Sequence, residues 1–448
     1  MTKVITRFPP SPTGALHMGS ARTALFNFLF AKHCGGKMVL RIEDTDKERS
    51  KKEYEENIIE GLKWLNITWD GEMVHQSQRA IRHKEALTQL IESGKAYEAE
   101  ENKDATGKVI RFKNPGGTVE FEDALRGTIK TPIEDLGDFV IARSLDDPLY
   151  HLAVVVDDAD AGVTHILRGE DGLANTARQI LLQEALGFRT PKYAHIPFIL
   201  GPDRSKLSKR HGAKSVLEYK KMGYLPEAVV NFLAMLGWRS KTDDEKELWT
   251  MEELIEDFSL EGLQKASAVF NEDKLRWINK EYLRQVPDED FWQSVIEFAP
   301  EKLKATFQQE HVKNALLDDL RERISVYTEV GELYEKGEFN WLLNFNLDKQ
   351  DAEKLIWRKS NQGDTIKHLE HLLQILCDPK TEEFSKERAE EIIKPYAQKE
   401  GMGDVLWPLR FALSAQDRSP NPFVLLAALG KDESCARIKK ALELLRSL

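Results

Sequence analysis

A loop near the start of the chain carries residue types that can hold a phosphate. The stretch PPSPTGALHMGS, residues 9–20, joins a short strand-like run to an apolar helical pattern. It offers Thr13, His17 and Gly19 just before that helix. A histidine there can donate a hydrogen bond to a phosphate oxygen, and a glycine allows an adenine or ribose to come close. The loop contains neither GxGxxG nor GxxxxGK(S/T). Taken alone, it is more typical of a proline-rich turn whose Ser20 caps the helix.

A second loop is compact and strongly basic. The stretch GPDRSKLSKRHG, residues 201–212, places Lys206, Ser208 and Lys209 with two arginines after a strand-like run. Such a loop suits the negative charge that develops on a phosphate group during transfer. On its own, a sequence of this kind is more typical of a solvated turn. The two loops together are far more specific than either one.

The elements around these loops predict a parallel α/β sheet. Residues 3–7, KVITR, and residues 37–43, KMVLRIE, are typical of strands on either side of an amphipathic helix. This β-loop-α-β unit starts a parallel sheet with right-handed crossovers. Residues 150–156, YHLAVVV, form an apolar run that we interpret as another buried strand. We expect a helix over residues 173–186. The helical patterns that follow indicate a separate domain.

Composition limits the class of protein. The chain has 448 residues, 41% of them hydrophobic, and a net charge of −11. No apolar run approaches the about 18 residues of a membrane helix, and no signal segment is recognisable, so we expect a cytoplasmic protein without a membrane partner. The acidic balance argues against non-specific coating of nucleic acid, but it leaves a specific RNA partner open. Cys34, Cys377 and Cys435 form no CxxC pair, which predicts neither a zinc site nor a disulfide framework.

The motifs together resemble one family. PSPTGALHMGSART with KLSKR resembles the two ATP-binding motifs of class I aminoacyl-tRNA synthetases. RFPPSPTG, RIEDTD, THILRGED, KLSKRHGA and FNEDKLRWIN resemble bacterial-type glutamyl-tRNA synthetases over about residues 1–280. The resemblance implies that glutamate, ATP and tRNA give glutamyl-tRNA, AMP and pyrophosphate. It also implies Mg²⁺ with ATP, tRNA-Glu as the partner, with tRNA-Gln as an alternative or additional one, and a monomer.

The fold class follows from the patterns and the resemblance. We expect an α/β Rossmann-like parallel-sheet catalytic domain with an inserted α+β subdomain, followed by an all-α C-terminal anticodon-binding region. The predicted segments are 1–94 for the first half of the catalytic domain, 95–149 for the inserted acceptor-binding subdomain, 150–225 for the second half with the KLSKR loop, 226–300 for a helical stem-contact domain and 301–448 for the anticodon-binding domain.

Five residues match the amino-acid-binding positions of the family. Glutamate carries two carboxylates and an ammonium, so its pocket needs cations and an anion. Arg7 and Arg168 can bind carboxylates, and Glu43 suits the ammonium. Ser11 and Tyr150 can add neutral hydrogen bonds. The charged residues follow or end strands, where ligands bind in α/β folds. Which arginine binds the side-chain carboxylate stays open.

The resemblance also assigns roles in ATP and tRNA binding. The reaction needs no covalent nucleophile from the enzyme, so catalysis is mostly positioning and charge stabilisation. The catalytic residues would be His17, Gly19, Lys206 and Lys209, and the ATP-binding residues Thr13, His17, Gly19, Ser208 and Lys209. The tRNA acceptor end would meet Asp44, Asn175, Thr176 and Arg178, although helix capping accounts equally well for Asp44.

The chain departs from the family at two places. Many relatives carry a zinc-binding cysteine cluster in the inserted subdomain. Here the stretch KAYEAEENKDATGK, residues 95–108, has no cysteine, so we expect no zinc and a trimmed insertion. Val154 stands where some relatives have an asparagine, which removes a hydrogen-bonding group.

Two other functions compete with this interpretation. A nucleotidyltransferase acting on a small acid without tRNA would have no use for the long helical region. A non-catalytic RNA-binding paralogue would be expected to have damaged ATP loops, yet His17, Gly19, Lys206 and Lys209 are all present.

Overall fold

The structure is a computed structural model that describes residues 3–100, 107–208, 210, 214–243, 245–358, 360–378 and 385–448. The chain divides into two compact units, Met1–Ile278 and Asn279–Leu448. Each is described by itself. The division falls inside the range 226–300, for which a helical stem-contact domain is predicted.

The first unit contains strands and helices in alternation. Its strands are β1 (Ile5–Phe8), β2 (Lys37–Ile42), β3 (Val74–His75), β4 (Ala96–Glu100), β5 (Lys108–Phe112), β6 (Thr118–Asp123), β7 (Gly127–Pro132), β8 (Phe139–Ser144), β9 (Asp147–Pro148), β10 (His165–Gly169), β11 (Lys192–Ile196), β12 (Ile199–Leu200) and β13 (Ala268–Val269). Its helices are α1 (Met18–His33), α2 (Lys52–Trp64), α3 (Ala80–Glu92), α4 (Tyr150–Asp160), α5 (Leu173–Leu186), α6 (Val216–Lys221), α7 (Pro226–Met235) and α8 (Met251–Asp257). Helix α9 (Glu272–Leu283) begins in this unit and ends in the next.

A parallel sheet positions the charged residues, as the sequence predicts. Strands β1, β2 and β3 pair in parallel, and β10 pairs in parallel with β11. Thr164, just before β10, joins the two groups: its backbone N–H donates to the Ile5 carbonyl at 2.9 Å, and its hydroxyl accepts from the Ile5 N–H at 2.9 Å. Helix α1 connects β1 to β2. The predicted β-loop-α-β unit is confirmed.

The run YHLAVVV is a helix, so its assignment to a strand is wrong. Residues Leu152–Val156 of α4 are all buried. A segment that is apolar on every side has no polar face, and periodicity then cannot separate a buried helix from a buried strand. Asp158, in the last turn of the helix, pairs with Arg7 of β1 and Arg41 of β2, and its neighbour Asp157 pairs with Arg79.

The inserted segment is built from strands. In the described residues of the range 95–149, the only helical piece is a short 3₁₀ turn, Glu134–Leu136, so the expected α content is not found. Strands β4, β5, β8 and β9 form an antiparallel sheet of their own. The β6–β7 hairpin instead extends the catalytic sheet, because Asp123 of β6 pairs in parallel with Tyr193 of β11.

The second unit is built from helices, as predicted. They are α10 (Asp288–Phe298), α11 (Glu301–Phe307), α12 (Glu310–Arg323), α13 (Glu329–Glu335), α14 (Asn340–Leu343), α15 (Gln362–Leu376), α16 (Lys386–Glu400), α17 (Met402–Ser414) and α18 (Pro422–Arg446). Cys377, at the end of α15, and Cys435, in α18, form a disulfide with their Cα atoms 6.3 Å apart. The expectation that no disulfide forms is therefore wrong: spacing along the chain does not show which helices pack together.

Candidate active site

The two predicted loops meet in the folded chain. His17 forms an isolated antiparallel β-bridge with Ser215, which lies just beyond the basic loop. The backbone N–H of Val216 donates to the Leu16 carbonyl at 2.8 Å. The segment that follows the basic loop, Ser215–Val216, is thereby fixed against the start of α1. Residues far apart in sequence thus lie together, as an ATP site built from both loops requires.

His17 is the N-cap of α1. Its Nδ1 accepts a hydrogen bond from the Ser20 backbone N–H at 3.2 Å, and the helix begins at Met18. The prediction that Ser20 caps this helix is therefore wrong. Partial removal from water lowers the pKa of His17, the Lys206 ammonium lowers it further, and the Asp171 carboxylate opposes both. The lowered pKa favours the neutral ring.

Gly19 lies against the His17 ring. A Cβ at this position would come within 3.2 Å of both Cε1 and Nδ1 of the imidazole. That separation is tighter than an ordinary van der Waals contact, so a larger residue would push the ring out of place. Thr13 and Ser11 are exposed on the same loop. The loop therefore presents its polar groups to solvent around an ordered histidine.

Lys206 of the basic loop lies close to Asp171 and Phe198. Its ammonium is 3.6 Å from Oδ2 of Asp171 and 3.8 Å from the centre of the Phe198 ring. Ser208, two residues on, is half-buried. Lys209 lies outside the described residues. Among the described residues, the Lys206 ammonium has an exposed carboxylate and an aromatic face as its partners, so a phosphate could replace the carboxylate at small cost.

Arg7 belongs to a buried network of charges. Its Nε donates to Asp158 at 3.2 Å, and Arg41 donates to Asp158 at 2.6 Å and to Glu43 at 3.0 Å. Burial raises the pKa of Glu43, and Arg41 and Arg7 oppose that rise. Nη1 of Arg7 is buried without a hydrogen-bond partner among the described residues. An unpaired buried donor is costly, so this nitrogen is ready to bind a ligand oxygen.

We predict that Asp158→Asn destabilises the fold and changes its response to acid. Burial alone would raise the pKa of Asp158, but Arg41 and Arg7 outweigh it and hold that pKa below its usual value. A lowered pKa in the folded state gives stability that is present above about pH 4 and lost as the pH falls further. Removing the charge should cost about 3 kcal/mol at pH 7, because two arginines lose their buried partner.

The measurement is urea unfolding of both proteins at pH 7 and pH 3.5. The difference in unfolding free energy between wild type and variant should shrink at the lower pH. Asp46→Asn is the matched control, since Asp46 pairs with Arg49 in solvent, and it should leave the urea midpoint unchanged. An Asp158→Asn protein as stable as wild type at pH 7 would contradict the network.

Arg168 is a buried cation with neutral partners. It is 8% exposed, and its guanidinium donates to His195 Nε2, Gln179 Oε1, the Gly172 carbonyl and Thr176 Oγ1 at 2.8–3.1 Å. Among the described residues no carboxylate bonds to it. Burial lowers its pKa. A guanidinium held in this way attracts an anion, because burying an unpaired charge is unfavourable.

Tyr150 joins the same cluster at the start of α4. Burial raises the pKa of its phenol, the Glu43 carboxylate raises it further, and Arg168 and Arg7 act in the opposite direction. These charges therefore act on the Tyr150 phenol, although the Tyr150 residue keeps 43% of its surface exposed. Val154, one turn further along α4, is buried. Arg7, Glu43, Tyr150 and Arg168 therefore form one electrostatic cluster, and the partly exposed Tyr150 lies at its edge.

The predicted acceptor-end residues separate into two groups. Asn175 and Arg178 are half-buried on α5 and remain accessible. Thr176 is fully buried, and its hydroxyl bonds Arg168 and His195. The prediction that Thr176 contacts RNA is therefore wrong, because a hydroxyl without exposed surface cannot reach a partner molecule. Asp44 accepts from the Ser77 backbone N–H at 2.8 Å and from its hydroxyl at 2.6 Å, which favours the capping role.

Five residues at the site are not among those predicted from the sequence. These are Arg41, Asp157 and Asp158 in the charge network, and Asp123 and His195 next to Arg168. An acidic pair that ends an otherwise apolar run could have indicated a buried ionic role for Asp157 and Asp158. Asp123 and His195 lie in unrelated stretches, and only the sheet brings them together.

The described part of the chain contains neither a metal-binding cluster nor a membrane-spanning helix. No group of three or more histidine, cysteine, aspartate or glutamate side chains is placed to hold a metal ion there. No described helix is both long and apolar enough to cross a bilayer.

Comparisons with family models agree with this geometry. A model described as the catalytic domain of class I tRNA synthetases (E and Q) matches residues 3–108 and 98–277. A model described as an anticodon binding domain matches residues 275–442. A parallel-sheet catalytic domain and a helical anticodon-binding domain of these types define a class I aminoacyl-tRNA synthetase.

Full-length relatives identify the family within that class. The chain is 41% identical to the glutamate–tRNA ligase of Aquifex aeolicus, over 99% of each chain, and 39% identical to that of Nitratidesulfovibrio vulgaris (strain Hildenborough), over 99% and 100%. A solved glutamate–tRNA ligase from Elizabethkingia meningosepticum, in complex with its amino acid, superposes with a TM-score of 0.83 at 30% identity, covering 98% of this chain and 99% of that one. The chain belongs to the glutamate–tRNA ligase family. It is an ATP-dependent enzyme that joins glutamate to tRNA. These relatives give no support to the alternative of tRNA-Gln.

Proposed function

We propose that the cleft between the two loops activates L-glutamate with ATP, and that the product is passed to tRNA-Glu. The main support for a glutamate site is a pair of buried arginines. Arg168 has only neutral acceptors among the described residues, and Arg7 keeps a buried Nη1 without a partner. Both features favour a ligand with carboxylates. Glu43 would bind the ammonium, and Ser11 and Tyr150 would add hydrogen bonds at the opening.

ATP would bind beside this pocket. Thr13, His17 and Gly19 would face the phosphates and the nucleoside, with Ser208 and Lys209 contributing from the basic loop. Lys206 would move from Asp171 to the phosphates, where its charge stabilises the transition state. The substrate carboxylate attacks the α-phosphate, and pyrophosphate leaves. A tRNA ribose hydroxyl then attacks the adenylate, and AMP leaves.

The remaining partners follow from the same site. Mg²⁺ would arrive bound to ATP, because the described residues provide no carboxylate cluster for a resident ion. We propose that no zinc is needed, since residues 95–108 contain no cysteine. Asn175 and Arg178 are the remaining candidates for contacting the acceptor end. We further propose a cytoplasmic monomer, with the segments 1–94, 95–149, 150–225, 226–300 and 301–448 as its functional divisions.

Aminoacylation of purified tRNA tests this proposal directly. Labelled glutamate, Mg²⁺ and ATP should charge tRNA-Glu, and purified tRNA-Gln should remain uncharged. Glutamate-dependent pyrophosphate exchange, measured with and without tRNA-Glu, reports the activation step separately. Addition of a zinc chelator should leave both rates unchanged. Absence of charging with tRNA-Glu would overturn the proposed function.

A further inference from the structure

Asp123 and His195 form a buried pair next to Arg168 that the reaction described above does not use. Asp123 ends β6 in the inserted segment, and His195 lies in β11 as the register partner of Arg168. Nδ1 of His195 is 2.7 Å from Oδ2 of Asp123, and both side chains are 0% exposed. We propose that Asp123 and His195 are positioning residues that fix the Arg168 guanidinium for glutamate binding. This inference rests on the proposed role of Arg168.

Asp123 must be an ionised acceptor at this site. Its Oδ1 accepts from the backbone N–H groups of Leu125 and Arg126, both at 3.0 Å. Its Oδ2 accepts from the His195 backbone N–H at 3.0 Å and faces His195 Nδ1. Burial alone raises the pKa of Asp123, but the hydrogen bonds from His195 and the backbone outweigh it and lower that pKa. A carboxylate therefore requires a hydrogen on Nδ1 of His195.

This requirement fixes the tautomer of His195. With its hydrogen on Nδ1, the neutral ring has a lone pair on Nε2. Nε of Arg168 donates to that lone pair at 3.1 Å, and the Thr176 hydroxyl lies 3.0 Å from the same atom. Burial lowers the pKa of His195, and although Asp123 opposes this, Arg168 lowers it further. A hydrogen on Nε2 would instead point at the Arg168 N–H, so only the Nδ1–H form stabilises the arginine.

The hydrogen-bond donors of Arg168 show how Asp123 and His195 position this side chain. A guanidinium has five N–H donors. The described residues use four for Arg168: Nε to His195, one Nη1 hydrogen to Gln179, and two Nη2 hydrogens to Gly172 and Thr176. One Nη1 hydrogen remains for a ligand. A Cβ on residue 172 would lie 2.5 Å from Nε, so the glycine at this position allows the Arg168 side chain to pack closely against the backbone. Asp123 and His195 thus determine where the free hydrogen points.

Asp123→Asn tests the role of the carboxylate. An amide cannot accept from all four donors, so one orientation breaks the turn at Leu125 and the other puts the His195 hydrogen on Nε2. We expect the KM for glutamate to rise about tenfold, with kcat and the KM for ATP within about threefold of wild type. Glu120→Gln is the matched control: the same chemical change on β6, at an exposed carboxylate paired with Lys130, should leave all three constants unchanged.

Two replacements of His195 separate positioning from packing. His195→Gln provides an amide oxygen that can accept from Arg168, whereas His195→Phe keeps a ring beside Tyr193 without an acceptor. The Phe variant should raise the KM for glutamate about tenfold, and the Gln variant should stay within about threefold of wild type. In the Gln background, Asp123→Asn should add little. An equal rise in both His195 variants would overturn the proposal, because the acceptor would then be irrelevant.

A measurement on the unaltered protein is independent of any folding defect. The ¹⁵N shifts of the His195 ring should report a neutral Nδ1–H tautomer between pH 6 and pH 8. A protonated ring or an Nε2–H tautomer would overturn the inference. The proposed function fails separately: if Arg168→Leu leaves the KM for glutamate unchanged, the arginine is not a glutamate ligand. If Arg168→Leu raises that KM but Asp123→Asn and His195→Phe do not, only the positioning role is wrong.

Discussion

Arg168→Leu should lower kcat/KM for glutamate about a thousandfold while the KM for ATP stays within about twofold of wild type. The variant loses a buried positive charge. Among the described residues the acceptors of this charge are neutral, so the guanidinium can attract a substrate anion at full strength. Removing one partner of a buried charge pair costs about 4 kcal/mol, which corresponds to this factor. Steady-state aminoacylation with glutamate and ATP varied separately measures both constants.

An exposed arginine elsewhere in the chain provides the control for Arg168→Leu. Arg189→Leu removes an exposed arginine that follows α5, and it should change neither constant. Circular dichroism must show that Arg168→Leu folds. A variant that loses ATP and glutamate affinity in equal measure would mean that the arginine supports the cleft as a whole and not the amino acid.

The same assay can decide which arginine binds the side-chain carboxylate. Glutamine has an amide at that position and is otherwise alike. Replacing the arginine that contacts the side-chain carboxylate should abolish the preference for glutamate over glutamine. Replacing the other arginine should weaken both amino acids about equally, because both share the α-carboxylate. Arg7→Leu beside Arg168→Leu, each tested with the two amino acids, completes the comparison.

Lys206→Ala should lower the rate of adenylate formation about a hundredfold and leave glutamate binding unchanged. Lys206 is the described lysine of the basic loop, its charge acts on His17, and its ion pair with Asp171 is exposed and weak. Its charge therefore matters when phosphate charge develops in the transition state and little before. Pyrophosphate exchange gives the rate, and isothermal titration with glutamate gives the binding constant. Lys209→Ala should behave in the same way by resemblance.

An exposed lysine elsewhere provides the comparison for Lys206. Lys221 lies at the end of α6, outside the cleft, and Lys221→Ala should leave the exchange rate unchanged. If Lys206→Ala weakens glutamate binding as much as it slows exchange, its assignment to the phosphates is incorrect.

The loops and strand ends could be predicted from sequence because each carries a local pattern. KVITR and KMVLRIE fold as strands, and the motif residues His17, Arg7 and Glu43 lie where a parallel sheet directs ligands. Arg168 likewise lies near the end of β10, and the structure brings the segment that follows the basic loop beside His17.

Other parts depend on contacts between distant stretches, and local patterns do not contain them. Valine-rich YHLAVVV favours a strand by propensity, but packing on every side of α4 decides for a helix. The helical pattern of α5 alone does not show that Thr176 is buried, because its contact with Arg168 forms only in the folded chain. Asp123 and His195 meet because β6 joins β11, and no motif marks either residue.

The pairing of β6 with β11 has a practical consequence for chimeric enzymes. Exchanging the whole range 95–149 with a relative would remove the edge of the catalytic sheet and take Asp123 with it. A graft that keeps the hairpin of residues 118–132 and exchanges only the segments on either side would leave the pairing of β6 with β11 intact. The range 95–149 therefore consists of two structural parts. The residues on either side of the hairpin can be exchanged, whereas the β6–β7 hairpin belongs to the catalytic sheet.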